Sequence, residues 1–164
     1  EERNRDGIIG SFSVAENAIL QNAAEYTRGK IFFNFGEIQR HAGNLIKGFN
    51  IKTPSSKTPA KNLSGGNVQK LILARELTRK PSVLIAAQPT RGLDVGAIEA
   101  VYSRIRAASE SGLGVLLISS ELEELIAVSD RIAVIYRGKL VGELSSDSFS
   151  RESIGAMMSG HEHV

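Results

Sequence analysis

The sequence predicts an α/β fold in which a helical subdomain is followed by the C-terminal part of a mainly parallel sheet flanked by helices. In the second half of the chain, short continuous apolar runs at 83–87 and 114–119 alternate with stretches of helical periodicity. This order is typical of parallel strands covered on both faces. In the first 60 or so residues the apolar spacing is helical instead. We therefore expect a helical subdomain and linker at 1–62 and an α/β core at 63–164.

Two helices and two loops are expected in the first part. Ser13 is a good cap for a short helix that extends to about Gln21. A second helix is predicted at 35–47, where apolar residues recur at helical spacing. The signals at 26–33 are mixed and favour a loop. The Pro, Ser and Thr residues of 53–62 are typical of a surface loop.

The second part predicts a regular alternation of helices and strands. Its apolar runs indicate strands, and its periodic stretches indicate helices. A hairpin is expected where "RIAVIY" and "KLVGEL" are joined across Arg137 and Gly138. The expected elements are helix 64–79, strand 83–87, helix 97–109, strand 114–119, helix 121–129, hairpin 131–144 and helix 150–158.

Composition excludes several classes of protein. The 164 residues are 41% hydrophobic and 23% charged, as in an ordinary globular protein, and a net charge of +2 without a basic run argues against nucleic acid as a partner. With no cysteine, disulfides and thiolate metal sites are excluded. No apolar run approaches the roughly 20 residues that span a bilayer. The start, "EERNRDG", is too polar for a signal peptide, and the lack of an initiator Met suggests a piece of a longer chain.

The sharpest motif is "LSGGNVQK", at 63–70. Ser64 stands at a predicted helix start, where backbone N–H groups are unpaired and the helix dipole is positive. Gly65 and Gly66 let a phosphate approach the backbone closely, and the serine hydroxyl adds a donor. A plain serine cap in a glycine-rich loop explains the same residues, so the motif by itself leaves both readings open.

The order of motifs resembles that of ATP-binding subunits of ABC transporters, which are P-loop NTPases. The segment 63–70 resembles their signature motif, and "VLIAAQP" resembles their Walker B strand. Gly92 to Asp94 resembles the D-loop, and "LLISSELEEL" resembles the segment that usually contains the switch histidine. "NLSGGNVQK", "PTRGLDVGA" and "ISSELEEL" are most similar to the C-terminal ATPase half of simple-sugar importers. "AAQPTRGLDVGA" is closer to the nucleoside-importing branch, which works with a lipoprotein binding protein.

The chain has no GxxxxGK[ST] segment. In the family this Walker A loop precedes the helical subdomain. The resemblance therefore implies a partial P-loop NTPase domain that starts after Walker A, with Glu1 or Glu2 near the Q-loop and much of the sheet outside the chain.

Three substitutions change the hydrolytic positions that the resemblance implies. Ala87 replaces the usual Walker B aspartate that supports magnesium, and Gln88 replaces the usual catalytic glutamate. A methyl group binds no metal, and an amide cannot take a proton from water. Loss of a general base typically lowers a rate by on the order of 10²–10⁴. Ser120 stands where the switch histidine is usual, so we expect a degenerate site without a metal ligand at 87.

The resemblance also implies cofactors and partners. ABC ATPase halves pair head to tail, and each ATP lies between the Walker motifs of one half and the signature motif of the other. In the assembled subunit, this half would therefore contribute to the binding of ATP with Mg²⁺. By itself it is expected to bind neither tightly. Expected partners are the other ATPase half, the integral-membrane permease and, indirectly, an extracellular substrate-binding protein. The subunit itself is expected to be cytoplasmic and peripheral on the inner face of the cell membrane. The expected nucleotide-binding residues are Ser64, Gly65, Gly66, Gln69 and Asp94.

Other features have plainer interpretations. Phe32, Phe33 and Phe35 suit either core packing, which we favour, or a permease contact. The scattered histidines suggest no metal site, and the C-terminal "HEHV" (His161 to Val164) is expected to be a solvated tail. Two alternatives stay open: an ABC-type ATPase of DNA repair or chromosome organisation, which the lack of coiled coil and basic patches disfavours, and an interaction module without a nucleotide role.

Overall fold

The structure is a computed structural model that describes residues 7–29 and 31–160. The chain divides into two compact units, Glu1–Leu116 and Leu117–Val164. The expected division at residue 62 falls inside the first unit and stays a prediction. The interpretations placed on Glu1, Glu2 and the tail with His161 and His163 lie outside the described residues.

The described elements follow the predicted order. The helices are α1 (Val14–Ala18), α2 (Phe35–Gly48), α3 (Gly65–Thr78), α4 (Val95–Glu110), α5 (Leu122–Val128) and α6 (Arg151–Met158). The strands are β1 (Thr27–Arg28), β2 (Phe32–Phe33), β3 (Val83–Ala87), β4 (Gly114–Ile118), β5 (Arg131–Tyr136) and β6 (Lys139–Ser145). Short 3₁₀ turns lie at Ala23–Tyr26, Ala60–Asn62 and Ser146–Ser148. The strands form three pairs, β1 with β2, β3 with β4 and β5 with β6.

The predicted serine cap of α1 is confirmed, although the helix is shorter than expected. The Ser13 hydroxyl accepts the backbone N–H of Glu16 at 3.1 Å, and the Glu16 carboxylate accepts the backbone N–H of Ser13 at 2.7 Å. This reciprocal pair satisfies two backbone donors at the helix start. The helix ends at Ala18 rather than near Gln21, because Ile19 leaves the helical conformation at φ −111° and ψ 4°.

The core of the first unit lies among α1, α2 and α3. Val14, Ala42 and Leu71 have no exposed surface, and each of them comes from a different helix. The apolar spacing that predicts α2 is confirmed, since Ile38 and Leu45 face this core. The cluster fixes the position of α3, and the segment "LSGGNVQK" at 63–70 spans the start of this helix.

Two buried polar side chains tie the N-terminal segment to these helices. The Asn17 amide donates to the carbonyl of Ile9 at 3.0 Å and accepts its N–H at 2.8 Å. The Arg75 guanidinium donates to the carbonyl of Gly7 at 3.1 Å and forms an ion pair with Glu76 at 3.0 Å. Satisfied partners are what allow such groups to be buried.

The predicted loop at 26–33 is wrong at 27–28 and 32–33, which form two short strands. Thr27 pairs with Phe33 and Arg28 with Phe32 in a small antiparallel hairpin. Packing is also the wrong expectation for the aromatic residues, because Phe32, Phe33 and Phe35 are 73%, 47% and 71% exposed. The hairpin holds the two strand phenylalanines on the surface.

Strand β3 has the predicted bounds, but it is covered on one face only. Leu84 is buried, whereas Val83 and Ile85 are 60% and 65% exposed. Alternate side chains of a strand point to opposite faces, so the exposed pair belongs to one face. The expectation that this strand is covered on both faces is therefore not met in this chain.

The second unit is a hairpin packed against α6. Strands β5 and β6 pair antiparallel, and Arg137 and Gly138 form the turn with φ values of 47° and 77°. Two successive positive φ values are typical of a tight hairpin turn. The predicted hairpin and last helix are confirmed, with a core that consists of Ile132, Val134, Ile154 and Met157.

Candidate functional site

The N-terminus of α3 presents an exposed serine whose side chain does not cap the helix. Ser64 occupies the N-cap position with φ −65° and ψ 157°, and its side chain makes no capping hydrogen bond. Its backbone carbonyl accepts the N–H groups of Asn67 and Val68, both at 2.9 Å. The plain serine-cap interpretation of the motif therefore does not explain the hydroxyl.

Asn67 contacts the Ser64 hydroxyl instead. Its Nδ2 lies 2.8 Å from Ser64 Oγ, and its Oδ1 accepts the backbone N–H of Lys52 at 2.7 Å. Reasoning from the sequence missed Asn67, although a polar residue three positions after an N-cap is within reach of the cap. The amide joins the segment after α2 to the first turn of α3.

Gly66 lies where the first turn of α3 packs against the first turn of α4. A Cβ atom at this position would lie 3.0 Å from the Cβ of Ala97. Such a distance is shorter than ordinary van der Waals contact between carbon atoms. Gly66 therefore has a packing reason to be glycine, besides any approach of a phosphate. Gly65 is the first residue of α3, and Gln69 is half-buried in its second turn.

The turn after β3 has an unusual backbone at Gln88, which we expect to stand at the position of the usual catalytic glutamate. Gln88 has a φ of 50°, in the left-handed region that residues with a Cβ atom rarely adopt. Ala87 is exposed, and Gln88 is half-buried. Thr90 is 3% exposed, with its hydroxyl 3.3 Å from that of Tyr102. The turn is thus anchored on α4 through Thr90.

Asp94, expected to bind nucleotide, is the N-cap of α4. Its Oδ1 accepts the backbone N–H of Ala97 at 2.9 Å. A carboxylate here satisfies one of the free donors at the helix start, and its negative charge interacts favourably with the positive end of the helix dipole. Since Ala97 also contacts Gly66, the first turns of α3 and α4 are joined at one residue.

Ser120 lies in the second unit, in the short segment between β4 and α5. Its side chain is exposed. The neighbouring Ser119 hydroxyl accepts the backbone N–H of Glu121 at 3.0 Å, and Glu121 occupies the N-cap position of α5. This segment ends a strand and begins a helix, where a hydroxyl or an imidazole is accessible to solvent.

The residues fit an anion better than a metal ion. The start of α3 combines two glycines, unpaired helix N–H groups and a serine hydroxyl, which suits a phosphate group. The Ala87 methyl supplies no metal ligand. Among residues 7–29 and 31–160, no cluster of three or more His, Asp or Glu side chains is placed to hold a metal ion. Over the same ranges, no helix has both the length and the apolar character needed to cross a membrane.

Comparison with curated proteins identifies close relatives over almost the whole chain. The chain is 44% identical over 161 residues to the nucleoside import ATP-binding protein NupA of Lactococcus lactis subsp. cremoris, covering 98% of this chain and 32% of that protein. It is 40% identical to the guanosine import ATP-binding protein NupO of Bacillus subtilis, over 98% of this chain and 32% of NupO. It is also 40% identical to the ribose import ATP-binding protein RbsA of Bacillus cereus, over 99% of this chain and 33% of RbsA.

Solved structures show the same fold. The dimeric ATP-binding cassette MJ0796, in a post-hydrolysis state bound to ADP and Pi, matches with a TM-score of 0.73 at 21% identity. The match covers 91% of this chain and 62% of the cassette chain. A second dimeric structure of this bacterial ABC transporter cassette matches equally well. The predicted fold class is confirmed as part of an ABC-type P-loop NTPase domain.

The resemblance to ATP-binding subunits of ABC importers, which the sequence motifs indicated, is therefore confirmed. The chain is homologous to part of the ATP-binding proteins of sugar and nucleoside importers of the ABC class. It spans about a third of the length of the curated relatives that it matches. No protein-family profile matches the chain.

Proposed function

We propose that this chain is part of the ATP-binding subunit of an ABC importer for simple sugars or nucleosides, where it donates its signature segment to a composite ATP site. In this arrangement Ser64, Gly65, Gly66 and Gln69 face a nucleotide that is held by the Walker motifs of the other ATPase half. The relatives named for nucleoside, guanosine and ribose import support this function.

The observation that most supports the proposal is the state of Ser64. The hydroxyl of an N-cap serine ordinarily accepts a backbone N–H of the first helical turn, but the Ser64 hydroxyl makes no such capping bond. The hydroxyl stands exposed at the positive end of a 14-residue helix, beside two glycines. An anionic phosphate is the ligand that such a terminus favours.

We further propose that the chain's own Walker B site is degenerate. Ala87 cannot hold the water shell of Mg²⁺, and the Gln88 amide can orient a water molecule but cannot accept its proton. Ser120 provides a hydroxyl in place of a titratable imidazole. Hydrolysis in the assembly then depends on the site whose Walker motifs belong to the other half, with Mg²⁺ bound there. By itself, this chain neither hydrolyses ATP nor binds it tightly.

The proposed partners follow from this arrangement. The other ATPase half pairs head to tail with this chain, and the pair contacts the cytoplasmic side of the permease. The substrate-binding protein acts on the opposite side of the membrane and contacts only the permease. Asp94 lies next to the signature helix through Ala97 and would border the interface between the two halves.

Substitution of Ser64 tests the donor role in the assembled importer. We expect Ser64→Arg to abolish ATP hydrolysis by the purified complex, because the side chain fills the space that a phosphate needs and removes the hydroxyl. A matched control is Ser11→Arg, which places the same side chain at an exposed serine away from α3. Retention of wild-type turnover by Ser64→Arg would contradict the proposal.

Restoration of carboxylates tests the degenerate site. The double change Ala87→Asp with Gln88→Glu is expected to leave the turnover of the complex nearly unchanged, because the competent site belongs to the other half. A severalfold gain in turnover would show that the site formed by this chain limits hydrolysis, which the proposal denies.

A further inference from the structure

The direction of the hydrogen bond between Asn67 and Ser64 is fixed by a third group. A backbone N–H can only donate, so the side-chain atom of Asn67 that faces Lys52 N, at 2.7 Å, must be the carbonyl oxygen. The NH₂ group of Asn67 therefore faces Ser64 Oγ, at 2.8 Å. An amide flip would place two donors against each other at Lys52.

This direction determines what the serine hydroxyl can offer to a ligand. A hydroxyl has one hydrogen to donate and two lone pairs that accept. Because Asn67 supplies a donor, Ser64 Oγ accepts there and its own hydrogen is left for another acceptor. The Ser64 side chain is exposed, so that acceptor can come from outside the chain.

The group that orients Asn67 is itself well anchored. Lys52 follows Ile51, which is 4% exposed in the core of the first unit and donates its N–H to the carbonyl of Ile46 at 2.9 Å. A second link joins the same segments, since Lys70 Nζ lies 3.3 Å from the carbonyl of Asn50. The segment after α2 thus provides a fixed support for the first turn of α3.

We propose that Asn67 is a positioning residue of the signature site: it holds the Ser64 hydroxyl as a dedicated donor toward an unprotonated phosphate oxygen. This inference rests on the proposed function of the segment as a donor to an ATP site. It adds a specificity rule, because a hydroxyl held in this way favours ligand groups that accept hydrogen bonds over groups that donate them. Asn67 acts through Ser64 and does not itself touch the nucleotide.

The substitution Asn67→Asp reverses the bond without changing the shape of the side chain. One carboxylate oxygen still accepts the N–H of Lys52, and the other now accepts the hydrogen of the Ser64 hydroxyl. The phosphate then loses its donor. In the assembled importer we expect kcat/KM for ATP to fall by about 10-fold or more, since hydrogen bonds to charged groups are the strong ones. The control Asn62→Asp adds the same charge two residues before Ser64, at an exposed position.

Two further readouts separate positioning from a merely structural role. The effect of Asn67→Asp should disappear in a Ser64→Ala background, where no hydroxyl is left to orient. Asn67→Leu, which removes both polar atoms, should be milder than Asn67→Asp because the hydroxyl is then free to turn toward the phosphate.

The outcomes distinguish this inference from the function on which it rests. If Asn67→Asp has no greater effect than Asn62→Asp, or is equally harmful without the Ser64 hydroxyl, the positioning role is overturned while the donor role stands. It is also overturned if Asn67→Leu is as harmful as Asn67→Asp. If Ser64→Ala and Ser64→Arg both leave turnover unchanged, the proposed function itself fails. Circular dichroism of each variant complex checks that the fold is retained.

Discussion

Replacement of Asp94 by alanine removes the acceptor that holds the first turn of α4. The bond from the Ala97 N–H is 2.9 Å long, and loss of an N-cap side chain costs about 1 kcal/mol, within a range of about 0.5–2. The lost negative charge at the helix N-terminus adds about 0.3–1 kcal/mol at an exposed position. We therefore expect Asp94→Ala to lower the free energy of unfolding by about 1–2 kcal/mol.

A paired substitution separates the hydrogen bond from the charge. Asp94→Asn keeps an oxygen that accepts the Ala97 N–H and should cost only the charge contribution. The matched control is Ser64→Ala, because Ser64 occupies the N-cap position of α3 without making a capping bond. Its cost should be a few tenths of a kcal/mol, as for an ordinary surface change.

Urea unfolding followed by far-UV circular dichroism measures these differences in the isolated chain, which has no tryptophan for fluorescence. The expected order of stability is wild type, then Asp94→Asn, then Asp94→Ala, with Ser64→Ala near wild type. Equal losses for Asp94→Ala and Ser64→Ala would refute the capping role. An Asp94→Asn variant as unstable as Asp94→Ala would assign the effect to charge alone.

Two further predictions concern the core and the pH dependence of stability. Leu71→Ala should lower the free energy of unfolding in urea by about 2–5 kcal/mol, because Leu71 has no exposed surface and its removal leaves a cavity among α1, α2 and α3; a loss below 1 kcal/mol would contradict this packing. Burial lowers the pKa of His41 below its ordinary value, so the unfolded chain binds a proton more readily than the folded chain. The contribution of neutral His41 to the free energy of unfolding is complete above about pH 6.5, and it is lost as the pH falls from there toward the pKa of the folded state. His41→Gln should remove this contribution from urea midpoints measured between pH 7 and 5.5, and an unchanged pH slope would count against it.

Strands and helices with strong local signals were predictable from the sequence. The bounds of β3 were predicted correctly because the apolar run ends at the polar Gln88, directly before Pro89. Those of α4 differ by only one or two residues at each end. The hairpin β5–β6 follows from the turn residues Arg137 and Gly138. In each case the decisive information lies within a few neighbouring residues.

Features that depend on distant parts of the chain were not predictable in this way. The hydrogen bond from Lys52 to Asn67 joins residues 15 positions apart, and the segment "LSGGNVQK" alone does not predict it. The contact of Gly66 with Ala97 gives a signature glycine a packing role that spacing alone does not show. Tertiary contacts decide both. The exposure of Phe32 is a local feature, but it depends on a hairpin whose strands of two residues are too short for periodicity to reveal.

The site residues also differ in how far the sequence alone could identify them. Ser64 and the two glycines could be selected because their chemical types suit a phosphate. Asp94 was selected by resemblance, and its observed bond is to Ala97 in its own chain. Whether it also faces a nucleotide stays a prediction, since one carboxylate can serve a helix and border an interface.

The backbone around Ala87 and Gln88 is compatible with the carboxylates that the family resemblance implies at these positions. Ala87 is exposed, so a carboxylate there meets no buried neighbour. Gln88 and glutamate have the same shape, and the left-handed φ of 50° is equally unfavourable for both. The strand and turn therefore accept either set of side chains without movement. Under the proposed function, the Walker B positions of this half differ from the usual Asp and Glu by two side-chain exchanges on one unchanged backbone.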